Sequence, residues 1–479
     1  MYVRGRRLAH RAFRFRLLTS QFSLLTSSVI THHSSLITCL ASRFYGPMML
    51  LDLIYIPVLA AASPYLLSKR KIRAGLKEKL GFVQPRAGSG PCAWFHCVSV
   101  GEVGLARELV RRFEARFPEL PVAVSTTTDT GRSAAEKFFP NHAIFYYPFD
   151  ISLSVKKTLR AIRPKMIVLM EQEVWPNLLI TARKQGVPVV IVNGRITEKV
   201  CRRLARIRFV VEPLLRSIHT IAVQDADYAG RFIRLGAPPE RVIVTGNMKY
   251  DTVKTSVDPA HPAYAAVKGL GAEPMLVGGC TWDGEEQALL RVFAGLKRTC
   301  PGLGLVLAPK HAERLPAVRR LIEGAGFACA ELSSLKLNRQ NGENNRTAPL
   351  LAAEPGQVVL VDTFGELDAV YAAADAVFVG RSLTQHGGQN MLEPAALGKA
   401  VFFGPHTENF REAAELLLAA GAAFKIDSEN GLHQQIANFI KDREAFVRAG
   451  AAARKVVETK KGATEKNLGI LEETMNHER

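Results

Sequence analysis

The chain of 479 residues is too long for one ordinary hydrophobic core, so its length predicts two or three domains. Its seven cysteines are scattered without CxxC spacing, which argues against a disulfide framework or a zinc site and favours a reducing compartment. The formal net charge is +19, and no aromatic-rich RNA motif or zinc finger accompanies the basic blocks. They therefore indicate an anionic membrane or substrate rather than nucleic acid.

Residues 1–47 differ in composition from the rest of the chain. They are rich in Arg and Ser and contain no Asp or Glu. This composition fits an organellar transit peptide, and it also fits a stretch upstream of a true start at Met48 or Met49, which we favour. In both cases we expect the segment to lie outside the fold.

The next stretch, 48–68, is mostly apolar, although Asp52, Pro57 and Pro64 interrupt it, and a basic block beginning at Lys69 follows. About 20 apolar residues before a basic block are typical of a membrane anchor that keeps the following domain on the cytoplasmic side. The anchor is predicted either to span the bilayer or to lie at its surface. The alternative is a buried first helix of the globular domain.

A first domain is predicted over 69–255, where short apolar runs alternate with helical patterns. This alternation is typical of a parallel sheet built from βαβ units. The predicted strands are 92–100, 122–127, 143–147, 166–170, 187–192, 221–223 and 242–245.

The Pro-rich stretch 256–274 is a candidate linker to a second domain of the same kind, predicted over 275–455. The polar segment 333–357 reads as a loop, and a helical pattern extends from 431 to about 473, with 456–479 as a C-terminal segment. The predicted strands of this half are 275–277, 303–307, 327–330, 358–361, 376–379, 400–403 and 422–426.

Two doubly wound α/β domains predict a cleft in which ligands bind beyond the carboxyl ends of the strands. Glu102 follows the first predicted strand and opens a helix, so it is placed to face that cleft. The helix dipole and free N–H groups would keep such a carboxylate ionised and ready to accept a proton at neutral pH. The alternative is an ordinary helix-start residue.

Other candidate residues also follow predicted strands. Glu171 and Glu173 precede Trp175, and Lys249 closes the first half. In the second half, Gly278–Gly279 form a predicted turn, and the sequence around His386, Gly387 and Gly388 precedes a helix predicted to open with Gln389 and Asn390. Glycine-rich helix starts suit phosphate binding. The histidines lack the spacing of a metal-ligand set.

The sequence resembles the Kdo transferases, which transfer 3-deoxy-D-manno-octulosonic acid. Motifs occur in family order over residues 48 to about 475. They are HCVSVGE, STTTDTG, MEQEVWPNLL, VNGRIT, GNMKYD, GGCTWDGEE, APKHAER, DTFGELDAVYAAADAVFVGRSL, HGGQNMLEPAA and GPHTENF.

The resemblance implies a GT-B fold with an acceptor-binding N-domain, a CMP-Kdo-binding C-domain, a final helix crossing back, and no essential metal or other cofactor. It implies inverting transfer of Kdo from CMP-Kdo to a lipid A precursor at the inner membrane. Glu102 would be the general base, and Glu171 and Lys249 transition-state stabilisers. The residues implied for the CMP-Kdo site are Pro309, Lys310, Phe364, Gly365, Glu366, Asn390, Met391, Leu392 and Glu393.

The chain departs from the family pattern at three places. Cys280–Thr281–Trp282–Asp283 replace the usual Ser-Thr-His-Glu, Lys310 replaces an Arg, and Arg381 replaces a Gly. The alternatives to a Kdo transferase are another GT-B enzyme that uses a UDP- or ADP-sugar, such as a heptosyltransferase or epimerase, and a non-catalytic sugar-nucleotide sensor.

Overall fold

The computed structural model describes residues 74–84, 90–340, 357–385 and 387–476, together with Asp52 and Pro57. These residues form two compact units. The first ends at Met248 and is completed by residues from Gly462 onward, and the second comprises Lys249–Lys461. The predicted extension at 1–47 lies outside the described residues, as does the predicted anchor at 48–68 apart from Asp52 and Pro57. Within the described ranges, no helix has both the length and the apolar character needed to cross a bilayer.

The first unit is built on a seven-stranded parallel sheet in the order β3-β2-β1-β4-β5-β6-β7. Its strands are β1 (Cys92–His96), β2 (Val122–Thr126), β3 (Ala143–Tyr146), β4 (Pro164–Met170), β5 (Val189–Gly194), β6 (Thr220–Val223) and β7 (Val242–Val244). Its helices are α1 (Leu76–Lys79), α2 (Val100–Arg116), α3 (Asp129–Phe138), α4 (Ser152–Ile162), α5 (Pro176–Lys184), α6 (Glu198–Ala205), α7 (Arg208–Leu215), α8 (Ala226–Arg234) and the C-terminal α18 (Ala463–Asn476).

Both faces of this sheet are covered, as its continuous apolar strands require. Along β1, Trp94 packs into one core and Phe95 into the other, because neighbouring side chains of a strand point to opposite faces. Helix α18 contributes Leu468 and Leu471 to the core that contains Phe95. Ion pairs such as Arg112–Glu465, at 2.8 Å, also tie α18 to α2.

The second unit contains a second seven-stranded parallel sheet, in the order β10-β11-β9-β8-β12-β13-β14. Its strands are β8 (Met275–Thr281), β9 (Gly304–Pro309), β10 (Ala328–Glu331), β11 (Gln357–Leu360), β12 (Ala376–Val379), β13 (Ala400–Phe403) and β14 (Ala423–Lys425). Its helices are α9 (Pro262–Lys268), α10 (Glu285–Lys297), α11 (Leu315–Gly324), α12 (Leu332–Gln340), α13 (Leu367–Ala373), α14 (Leu392–Ala396), α15 (Arg411–Ala419), α16 (Glu429–Lys441) and α17 (Arg443–Thr459).

The predicted doubly wound α/β fold is confirmed, and every predicted strand is present within a few residues of its predicted bounds. Three local predictions differ from the structure. The predicted linker contains α9, whose Ala263 and Val267 are buried in the second unit. The predicted loop at 333–357 begins with α12, and the long helical pattern after 431 is divided into α16, α17 and α18.

Each sheet has a switch point, where the chain connections leave neighbouring strands in opposite directions. It lies between β1 and β4 in the first unit and between β8 and β12 in the second. In open α/β sheets, ligands bind beyond the carboxyl ends of the strands at this point. The residues that follow these four strands are therefore the natural candidates for a functional site.

Candidate active site

Glu102 lies in the first turn of α2, shortly after β1, and is 9% exposed. Its backbone N–H donates to the Ser99 hydroxyl oxygen, at 3.4 Å, and that hydroxyl donates to Glu102 Oε1, at 3.0 Å. Glu102 Oε2 accepts the backbone N–H of Val98, at 2.8 Å. These bonds satisfy N–H groups at the start of the helix, in the manner of a capping box. They also fix the carboxylate at the switch point.

Glu171 directly follows β4, the other strand at this switch point, and is 7% exposed. Its backbone has φ 58°, a left-handed conformation that costs a non-glycine residue on the order of 1–3 kcal/mol. Arg195, just after the neighbouring strand β5, donates from Nε to Glu171 Oε2 at 2.7 Å. The sheet thus brings Glu102 and Glu171 to one edge of the first unit, with Arg195 as a positive partner.

The protonation of these carboxyl groups differs from the sequence-based expectation. Burial, followed by the charge of Glu171, raises the pKa of Glu102 to about 7, against hydrogen bonds from Val98 and Ser99 and the charge of Arg195. Burial and the charges of Glu102 and Glu171 raise the pKa of Glu173 to about 8. The helix-start N–H groups do favour the ionised form, as predicted, but desolvation and a neighbouring acid outweigh them and raise the pKa.

Lys249 lies in a short 3₁₀ helix, Met248–Tyr250, at the boundary of the two units. The backbone N–H of Met248 donates to Asn193 Oδ1 of the first unit, at 3.0 Å. Lys249 itself belongs to the second unit, and its ammonium lies 5.0 Å from the centre of the Phe410 ring. The structure thus assigns Lys249 to a different unit from Glu102 and Glu171.

In the second unit, Lys310 follows β9 and is exposed, whereas Pro309 is the buried last residue of that strand. The pKa of Glu393 is raised by burial and lowered by Lys310, with a net increase. Burial also raises the pKa of Cys280 to about 11, and Lys310 and Glu393 both act on it. Lys310, Glu393 and Cys280 therefore lie close together. The sequence indicated Cys280 only as a departure from the family pattern, not as a neighbour of the predicted CMP-Kdo site.

Phe364, Gly365 and Glu366 form the loop between β11 and α13. The Phe364 ring is 65% exposed, and Gly365 has φ 85°, which favours glycine. Glu366 accepts hydrogen bonds from Lys336 Nζ, at 2.6 Å, and from the Thr363 hydroxyl, at 2.5 Å. Burial alone would raise the pKa of Glu366, but these bonds lower it below its usual value. The loop thus presents a free aromatic face beside an ionised carboxylate.

The prediction that a helix opens at Gln389 and Asn390 is wrong, since α14 begins at Leu392 and has five residues. Met391 and Leu392 are buried in the core, so their side chains are not available to a ligand, and the Leu392 N–H donates to Asn390 Oδ1 at 3.2 Å. Asn390 Nδ2 donates to Glu393 Oε1, at 3.0 Å. This bond positions the Glu393 carboxyl group.

The glycine pairs do not form the predicted phosphate-binding turns. Gly278 and Gly279 lie within β8, where a Cβ on Gly279 would overlap the Tyr371 hydroxyl. The backbone N–H of Gly387 donates to the Glu408 carboxylate, and that of Gly388 to the Arg381 carbonyl, both at 2.8 Å. These N–H groups are therefore already bonded. His386 lies outside the described residues.

Arg195 is a site residue that sequence reasoning left without a role. A signal was available, because the VNGRIT motif ends a strand predicted to be close to the strand before Glu171. In a parallel sheet, neighbouring strands end at the same edge, so the Arg would have been expected near that acid.

Comparison with known proteins identifies the family. A family model described as 3-deoxy-D-manno-octulosonic-acid transferase (kdotransferase) matches residues 74–252. A 3-deoxy-D-manno-octulosonic acid transferase of Haemophilus influenzae is 30% identical over 437 residues, which cover 89% of this chain and 97% of that protein. The chain belongs to the Kdo transferase family.

Further similarities agree with this membership. A Kdo transferase of Bordetella pertussis is 31% identical over 79% of this chain and 86% of its own length. The structure of Anabaena HepE in complex with UDP has a TM-score of 0.51 at 14% identity, covering 80% of this chain and 98% of that chain. The second likeness concerns the fold alone and agrees with the GT-B class. The protein is thus a glycosyltransferase of the Kdo transferase family.

Proposed function

We propose that the protein transfers Kdo from CMP-Kdo to a hydroxyl group of the lipid A precursor lipid IVA, with inversion at the anomeric carbon. Glu102 is the general base of this reaction. The observation that carries the role of Glu102 is the position of its buried carboxylate at the switch point of the first sheet, held by Val98 and Ser99, where burial and the charge of Glu171 raise its pKa to about 7. A general base works best when its pKa lies near the working pH.

In the proposed step, the acceptor hydroxyl gives its proton to the Glu102 carboxylate as its oxygen bonds to the anomeric carbon of Kdo. The bond from that carbon to the phosphate oxygen breaks, and CMP leaves with the electron pair. Attack from the face opposite the leaving group inverts the configuration. The hydrogen bonds from Val98 and Ser99 hold the carboxylate in a fixed orientation for this transfer.

Glu171 and Lys249 are proposed to stabilise the transition state. Cleavage at the anomeric carbon develops oxocarbenium character, which a fixed carboxylate can stabilise. Glu171 suits this role because Arg195 and the strained backbone hold it in place. Lys249 would act on negative charge developing on the leaving group.

The donor is proposed to bind at the carboxyl edge of the second sheet. Lys310 offers an exposed ammonium to the phosphate, and the Phe364 ring offers a free face on which cytosine can stack. Stacking of a base on an aromatic side chain contributes about 1–3 kcal/mol. Gly365, Glu366 and the Asn390–Glu393 segment complete the proposed pocket.

The acceptor is an anionic lipid, so we propose that the protein works at the cytoplasmic face of the inner membrane. Support comes from the apolar stretch 48–68 and the basic residues that follow it. Each Lys or Arg near an anionic bilayer contributes about 1 kcal/mol of attraction. The same basic residues would attract the phosphate groups of lipid IVA.

The test is to incubate the purified full-length protein with CMP-Kdo and lipid IVA and to detect the product by mass spectrometry. We expect Kdo transfer, and a loss of turnover of about 10²–10⁴-fold for Glu102→Gln with donor binding retained. Glu119→Gln is the matched control, since Glu119 is an exposed loop residue. Turnover with a UDP-sugar but not CMP-Kdo would refute the donor, and full activity of Glu102→Gln would refute the base.

A further inference from the structure

Two unusual side chains lie at the switch point of the second sheet. Trp282 directly follows β8, and Arg381 comes two residues after the end of β12. Lys310 directly follows β9, on the other side of β8. Neighbouring strands lie about 4.8 Å apart, so the Lys310 and Arg381 backbones are separated by roughly 10 Å. Both are long side chains and can reach one anion lying beyond the end of β8.

Arg381 is held in a strained conformation by a buried acid. Its backbone has φ 55°, a left-handed value at which residues other than glycine are disfavoured. Glu285, which is 0% exposed, accepts the backbone N–H of Arg381 at 2.7 Å and those of Ser382 and Leu383 at 2.9 Å each. This carboxylate fixes the loop, and with it the point from which the arginine side chain extends.

The guanidinium of Arg381 lies over an aromatic ring instead of a carboxylate. It is 5.4 Å from the centre of the Trp282 ring, which in turn contacts the His311 ring at 4.9 Å. No carboxylate in the part of the chain that the structure describes forms an ion pair with Arg381 or Lys310. A cation held over an aromatic face is not neutralised by it, so the N–H groups of the Arg381 guanidinium can still donate to a ligand.

We propose that Arg381 binds a phosphate oxygen of the donor nucleotide, together with Lys310; this inference rests on the proposed function. The Gly387 and Gly388 N–H groups are already bonded, and a Cβ at Gly387 would lie 3.7 Å from Arg381 Nε. Arg381 therefore supplies N–H donors beside the Gly387–Gly388 turn, whose own N–H groups are already bonded. A guanidinium can donate two parallel hydrogen bonds to a phosphate, which a lysine cannot do. Trp282 positions it.

The experiment measures binding of CMP, cytidine and CMP-Kdo to the full-length protein by calorimetry. We expect Arg381→Gln to weaken CMP and CMP-Kdo binding by about ten- to hundredfold, as for the loss of a charge-assisted hydrogen bond, and to leave cytidine binding unchanged. Arg381→Gly should have the same effect without loss of thermal stability, because glycine adopts φ 55° readily. Arg298→Gln, at an exposed position, is the charge-matched control and should bind all three ligands normally.

A second arm tests the cooperation with Lys310. Lys310→Arg in the Arg381→Gln background should restore part of the CMP affinity, since it returns a guanidinium to the same edge.

The outcomes separate this inference from the proposed function. Wild-type transfer from CMP-Kdo together with unchanged CMP affinity in Arg381→Gln would overturn the role of Arg381 alone. Weakened CMP-Kdo binding with unchanged CMP binding would also overturn it, because the partner would then be the sugar carboxylate. Failure of the wild-type protein to bind CMP would overturn the proposed donor, and the inference with it.

Discussion

Replacing Glu102 by Gln should stabilise the protein at alkaline pH while it lowers turnover about 10²–10⁴-fold. The change keeps the size of the side chain and removes its charge. A residue that served only to cap α2 would behave in the opposite way, since the loss of a helix cap usually costs about 1 kcal/mol of stability. The sign of the stability change therefore shows whether desolvation of Glu102 outweighs its contribution as a helix cap, and the transfer rate tests its catalytic role.

The magnitude follows from the pKa. The pKa of Glu102 rises from 4.5 to about 7 in the folded protein, with burial as the main cause. Because the pKa is higher in the folded state, proton binding by Glu102 stabilises the folded protein. This stabilisation is present in full below pH 4.5 and is lost as the pH rises towards 7. At pH 8 the folded state therefore holds an ionised carboxylate at a cost of about 3 kcal/mol, at 1.36 kcal/mol per pH unit. The neutral amide avoids this cost.

The assay compares urea unfolding of wild type and Glu102→Gln at pH 4.5 and pH 8, alongside initial transfer rates. We expect the variant to be more stable at pH 8 by up to about 3 kcal/mol, to be close to wild type at pH 4.5, and to lose turnover. Wild-type activity should fall about tenfold per unit of pH below 7. A variant that is destabilised at pH 8 and still active would refute the reasoning.

Three further predictions concern Arg195, Phe364 and Asp52. Arg195→Gln removes a charge that lowers the pKa of Glu102, so the acid limb of the pH–rate profile should move to higher pH, and an unmoved limb would contradict this. Phe364→Ala should leave the unfolding free energy within about 0.5 kcal/mol of wild type but weaken CMP binding about five- to hundredfold in calorimetry. Unchanged affinity would show that the Phe364 ring does not stack on the cytosine of CMP. Asp52 accepts the Ser152 N–H at 3.0 Å and an Asn177 amide N–H at 3.2 Å, so Asp52→Ala should lower the unfolding free energy by about 1–2 kcal/mol in urea titration. An unchanged value would show that this contact carries no stability.

The order of strands and helices could be predicted from the sequence because parallel strands buried on both faces appear as continuous apolar runs. The position of Glu102 at a strand end followed from the same pattern. Helix starts near glycines were harder to predict. The HGGQN sequence resembles a helix start, yet α14 begins only at Leu392, and the Gly387 and Gly388 N–H groups donate to Glu408 and Arg381.

The protonation of the acidic site could not be predicted from the sequence. The local sequence indicates only the helix dipole and its N–H groups, which favour an ionised Glu102. The burial of the side chain and the nearness of Glu171 depend on the pairing of β1 with β4, between residues about 70 positions apart. The sequence indicates Arg381 only as a departure from the family pattern, because its position over Trp282 requires β8 and β12 to be neighbours.

The same contacts that make Glu102 a helix cap also place its carboxylate for a role in catalysis. A carboxylate at this position of a surface helix would be hydrated and would keep a low pKa. Here the cap draws the side chain back toward Val98 and Ser99, at the end of a strand buried on both faces, where a second acid follows the adjacent strand. The hydrogen bonds that hold the carboxylate lower its pKa, but they also keep it in the place where desolvation and Glu171 raise that pKa by more. Weakening the cap, for example with Ser99→Ala, should therefore reduce transfer even though Ser99 exchanges no proton with substrate, because the base would lose its orientation.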